Sequence, residues 1–123
     1  MKSKQKLPTE AQIEKFEMLE KMINSIYDEM KEFSKKKPDE LLNKFKVNNI
    51  NRILDPIKKI LKNESTYEFI DLLDEESLPS NSDAILTIGQ FKAAINEFRS
   101  KYYLIDEGGI FNRWSTKEDP ISE

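Results

Sequence analysis

The chain has 123 residues, with 20 Lys and Arg against 23 Asp and Glu, 37% hydrophobic and 35% charged residues, and neither His nor Cys. That is the size of one ordinary domain, large enough to bury a core without disulfide or metal staples. Without His or Cys there are no Ser-His-Asp or Cys-His triads, no thiolate or imidazole metal sites and no Glu-x-x-His pairs of a di-iron bundle, and a net charge of −3 argues against binding a polyanion through bulk charge.

The opening MKSKQKLPTE is basic but has no apolar h-region behind it, so it does not read as a signal peptide. Residues 1–8 read as a flexible basic arm. Thr9 opens a helix through a capping box with Gln12. Apolar residues then recur at Ile13, Phe16, Leu19, Ile23, Ile26, Met30 and Phe33, a heptad-type stripe widened by Met18, Met22 and Tyr27. Lys35, Lys36 and Lys37 suit the last turn, where cations meet the negative end of the helix dipole.

Pro38 fits the first turn of a second, short helix whose buried side is Leu41, Leu42 and Phe45. The next helical pattern, Ile50, Ile53, Leu54, Ile57, Ile60 and Leu61, keeps its phase across Pro56. A proline inside a helix costs roughly 3 kcal/mol. The segment is therefore either one helix bent at Pro56 or a second helix capped by Asp55. Asn48, Asn49 and Asn51 are better caps than helix-interior residues.

A second capping box, STYE from Ser65, opens a helix to about Glu76, with Phe69, Ile70, Leu72 and Leu73 apolar. Pro79 marks a loop, and Asp83 or Ser82 caps the last long helix. Its stripe is Ile85, Ile88, Phe91, Ile95, Phe98, Tyr102 and Ile105, spaced like the first. Gly108 and Gly109 end it. The expected fold is all-α, a four- to five-helix bundle with two long helices and a short non-helical C-terminal tail. The bundle spans residues 9–105. The tail, 106–123, is partly packed and disordered at its end.

Four features bear on function. Glu64 to Asp83 holds seven carboxylates and no cation. The acids Glu68, Asp71 and Glu75 fall on one helical face, and no calcium-loop pattern is present. Asp74, Glu75 and Glu76 crowd a helix C-terminus, where anions are disfavoured. Their answer would be Lys58, Lys59 and Lys62 or an outside basic partner.

The segment Lys31 to Lys62 carries nine Lys and one Arg against four acids. Lys35, Lys36, Lys37, Lys44, Lys46, Lys58, Lys59 and Lys62 are candidate phosphate contacts. Three Arg in the whole chain and no zinc-finger, RNP or basic-zipper pattern make nucleic-acid reading the weaker alternative. Candidate carboxylate pairs such as Glu14/Glu17 and Asp71/Glu75 lie on polar faces, where nothing shifts a pKa toward catalysis.

Phe111, Arg113 and Trp114 lie beyond the helical periodicity and are of hot-spot type. Either they fold back over the open end of the bundle or they anchor a partner. The matched stripes of the two long helices also make a homodimer through those helices a candidate. The sequence therefore reads as a small, soluble, cytoplasmic, non-enzymatic protein-binding module, an adaptor, immunity-like or regulatory protein. It needs no cofactor or metal and has no membrane span. Its candidate interface is Phe111, Arg113, Trp114, Asp74, Glu75 and Glu76.

Overall fold

A computed structural model describes residues 6–122. Residues 1–5 of the expected basic arm lie outside that range. The described chain is predominantly helical: α1 (Glu10–Lys36), α2 (Lys44–Ile60), a 3-10 turn (Ser65–Phe69), α3 (Asn81–Tyr102) and an antiparallel hairpin of β1 (Tyr103–Ile105) and β2 (Asn112–Trp114). Thus three α-helices and a two-stranded sheet stand among the described residues where four or five helices were expected.

Helix α1 begins as its sequence dictates. Thr9 accepts from the amide of Gln12, and the Gln12 side chain accepts from the amide of Thr9. Its stripe packs inward: Ile13, Phe16, Leu19, Ile23 and Met30 are buried. α1 packs against α3 on one side and α2 on the other. From α3, Ile88, Phe91, Ile95, Phe98 and Tyr102 meet it; from α2 come Val47, Ile50, Leu54 and Ile57. Each large side chain so buried contributes about 1.5–3 kcal/mol.

Helix α2 runs unbroken through Pro56. The proline ring leaves the carbonyl of Arg52 without its amide partner. The start of α2 corrects the expected helix after Pro38. Asn43 caps α2 by accepting from the Lys46 amide, so residues 38–42 are left as a turn and a short pairing. Leu41 pairs with Ser80, the Leu42 amide donates to Pro79, and the buried Asn81 amide group donates to the Lys37 carbonyl. Leu42 is buried, but Leu41 and Phe45 are exposed, contrary to the expected buried side.

The expected helix from Ser65 to Glu76 stops after the 3-10 turn, and residues 70–74 run in irregular structure. Asn51 holds them there. Its buried side chain accepts from the Leu73 amide and donates to the Leu73 carbonyl, both at 2.9 Å, from inside α2. One side-chain amide thereby imitates a strand partner, and Ile70 and Leu73 are carried into the core. Asn51 is an interior residue with a partner, not a cap.

Helix α3 is capped by Ser80, which accepts from the Asp83 amide, rather than by Ser82 or Asp83. It ends at Tyr102, seven residues before Gly109, and Gly109 instead makes the positive-φ turn of the hairpin. Gly89 sits mid-helix. A Cβ built there would meet only the Tyr27 ring at 3.8 Å, ordinary contact. Gly89→Ala is expected to raise stability by about 0.5–1 kcal/mol through helix propensity; urea titration measures it.

Candidate functional site

The C-terminal residues form a cap over one end of the helices. The hairpin returns the chain so that Trp114 lies against Phe16 (centroids 5.6 Å, edge-on), Phe98 (6.1 Å) and Tyr103 (5.2 Å). Its indole N–H donates to Glu17 at 3.4 Å. The Arg99 guanidinium sits 5.1 Å above Trp114 and 5.3 Å above Tyr103, and makes a two-point ion pair with Glu20. That hydrogen-bonded pair outweighs partial desolvation and holds the Arg99 pKa above its ordinary value. Arg99→Ala is expected to cost about 1 kcal/mol, most of it from lost stacking, because a partly exposed pair contributes little. A thermal melt against wild type checks it.

Beyond the hairpin the chain stays tied down. Ser115 and Thr116 are buried, the Ser115 amide donates to the Tyr102 carbonyl, and the Lys117 amide donates to the Pro8 carbonyl. The Glu118 carboxylate accepts from the Glu10 amide at the start of α1, where the dipole favours an anion. Arg113 is occupied internally, by Glu107 at 3.0 Å and Asp119 at 3.3 Å.

The candidate interface residues are thus scattered. Trp114 and Arg113 belong to the cap. Phe111, 71% exposed, is at the hairpin tip with Ile105 and Ile110. Asp74, Glu75 and Glu76 lie elsewhere, in the exposed loop before α3. There Asp74 accepts from the Glu76 and Ser77 amides, and these bonds, Ser77 first, hold its carboxyl below the usual range. No helix ends at these acids, so the conflict with a helix dipole does not arise.

The basic segment is broken up in the same way. Lys35 pairs with Glu32, Lys37 with Glu40, Lys58 with Asp71 and Lys59 with Asp55. Lys46 lies over the Phe33 ring at 4.7 Å and Lys58 over Tyr67 at 5.1 Å. Lys36, Lys44 and Lys62 form no ion pair among the described residues. Also among the described residues, no group of three or more acidic side chains is placed to hold a metal ion, and no helix is long and apolar enough to cross a membrane.

Between α2 and α3 the Glu64 carboxylate is largely enclosed. It accepts from the Tyr102 hydroxyl at 2.8 Å and pairs with Lys101 at 3.2 Å. Burial, then the bond to Glu64, pushes the Tyr102 pKa up. Lys101 also ends above its ordinary value, because its bonds to Tyr102 and Glu64 outweigh desolvation. Both raised groups contribute stability that is complete below their unfolded pKa values, near 10. That stability is lost as pH rises through the folded values. The unfolding free energy is therefore expected to fall above about pH 10, and Tyr102→Phe to soften that fall; denaturant midpoints from pH 8 to 11 check this.

A surface that the sequence reading passed over lies between α1 and α2. Met18 is 52% exposed and Met22 44%, and with Ile26, Ile53 and Pro56 they line a groove of about 490 Å³. It continues past Ile26 and Asn49 into a second hollow of about 180 Å³ beside Met30, Phe33 and Ile50. The signal was present in the sequence. Met18 and Met22 widen the α1 stripe beyond what one neighbouring helix can cover. No protein-family model, curated protein or solved structure matches this chain.

Proposed function

We propose that this chain is a non-enzymatic protein-binding module, of adaptor, immunity-like or regulatory kind, that works in the cytoplasm and docks partners in the α1/α2 groove. The observation that carries this reading is the apolar line of half-exposed Met18, Met22 and Phe33 with partly buried Ile26, lining two adjoining hollows with Ile50, Ile53 and Pro56. Contiguous apolar surface of this kind marks interaction sites rather than ordinary exposed residues. Two adjacent helices make a seat for a third, with ridges settling into the trough between them. Flexible methionine side chains adapt such a seat to its occupant.

The hairpin tip is a second, smaller candidate, supported by the exposure of Ile105, Ile110 and Phe111. Selection of a displayed library of helical peptides against the full chain separates the two. Enriched peptides are expected to lose binding to Met22→Glu and to keep it with Phe111→Ser. Peptides that depend on Phe111 and ignore Met22 would move the docking surface to the hairpin. Met22→Glu itself is expected to shift stability by less than about 1 kcal/mol, since the position is surface-exposed and Glu is a good helix former.

A further inference from the structure

We propose that the occupant of the α1/α2 groove is an amphipathic helix of a partner protein whose apolar stripe is flanked by carboxylates. The proposal rests on the reading of the groove as the docking surface and adds the chemistry of what docks.

Size selects a helix. Along α1 the lining runs from Lys15 to Phe33. That is about 27 Å at 1.5 Å per residue, the length of roughly five helical turns. Apolar anchors at i, i+3 or i+4 and i+7 on an incoming helix match a groove of this form. An extended peptide would instead need an open strand edge to supply main-chain hydrogen bonds, and both walls here are helices whose main-chain groups bond internally. The carbonyl of Arg52, released by Pro56, is the exception.

Charge selects the flanks. The protein as a whole is acidic, at −3, yet the lining carries Lys15, Lys46 and Arg52 against Glu29 alone. Among the described residues neither Lys15 nor Arg52 forms an ion pair. Lys46 closes the far end, its ammonium over Phe33. Carboxylates beside the apolar stripe of a docked helix would meet these cations at the rim, where complementary charge sets specificity and speeds encounter. A second copy of this chain fits less well. A two-fold contact sets the groove against itself, and its own lining supplies one carboxylate, Glu29, for three cations.

The test uses the full chain and two labelled peptides of about 18 residues, the length that fills the groove. They share one leucine stripe and differ only in Glu or Lys flanks. Fluorescence anisotropy at low salt is expected to show the Glu-flanked peptide binding at least about tenfold more tightly. That gap should narrow as salt rises, reverse in the Lys15→Glu, Arg52→Glu double variant, and vanish with all binding in Met22→Glu. Circular dichroism confirms that each variant is folded. Equal affinity for both peptides, still lost in Met22→Glu, would overturn the carboxylate assignment and leave the groove as the docking surface. No binding of either peptide would remove both. A Met22-dependent dimer in sedimentation, with no peptide bound, would show that a second copy is the occupant and overturn the proposal.

Discussion

Replacing Asn51 by alanine is expected to lower the unfolding free energy by about 3 kcal/mol, because it strips the Leu73 amide and carbonyl of the one partner each has among the described residues, at about 1–3 kcal/mol each. Asn51 is 8% exposed and bonds both polar groups of Leu73. Water cannot easily replace it without opening the gap between α2 and the 70–74 segment. The melting temperature should fall by roughly 10–20 °C. Asn51→Asp keeps the acceptor but sets a carboxylate against the Leu73 carbonyl, so at neutral pH its loss should be at least as large. A shift within about 0.5 kcal/mol for Asn51→Ala, the scale of an ordinary surface change, would mean that Ile70 and Leu73 hold the segment without help from the amide.

Trp114→Ala is expected to cost about 3 kcal/mol, near the lower end for removing an aromatic side chain from packed surroundings. The loss removes the edge contact with Phe16, the stack under Arg99 and the bond to Glu17 together. Phe111→Ala, only three residues away but exposed, should stay within about 0.5 kcal/mol of wild type. Trp114→Phe should recover part of the loss, since a ring remains against Phe98. Paired urea titrations of the three variants measure this. If Trp114 and Phe111 behaved alike, the hairpin would not be a cap with an inner and an outer side.

The helices that were legible in the sequence are those whose periodicity is long. In α1 and α3 the stripe repeats over many turns, and no local choice of turn or cap competes with it. Short segments were decided by partners that one-dimensional spacing does not reveal. Ser65 to Glu76 has the sequence of a capping box and apolar residues at helical spacing, yet no side-chain cap forms there and residues 70–74 are drawn out by an amide on α2. The sequence did hold a warning. Asp74, Glu75 and Glu76 were badly placed for a helix end, and Asp74 is a strong turn former that bonds the amides two and three residues on.

The hairpin was legible too. YYLI and IFNRW are aromatic and β-branched runs on either side of DEGG, a hairpin pattern. A stripe counted on to Ile105 makes the glycine pair a helix stop instead. In the fold Ile105 is exposed, and the stripe ends with Tyr102. Of the candidate site residues, which of Phe111 and Trp114 is covered could not be read from spacing. Phe111 precedes β2 and Trp114 ends it, and only the return of the chain onto Phe16 and Phe98 decides that Trp114 is the covered one.

Whether a partner helix lies between α1 and α2 is read most directly from the amide chemical shifts of the isotope-labelled full chain during titration with the Glu-flanked peptide. The expected result is a set of saturable shifts at Met18, Met22, Ile26, Asn49 and Ile53, with Tyr103 to Trp114 unmoved. Shifts concentrated instead at Ile105, Ile110 and Phe111, with Met22 unmoved, would place docking on the hairpin and contradict this account.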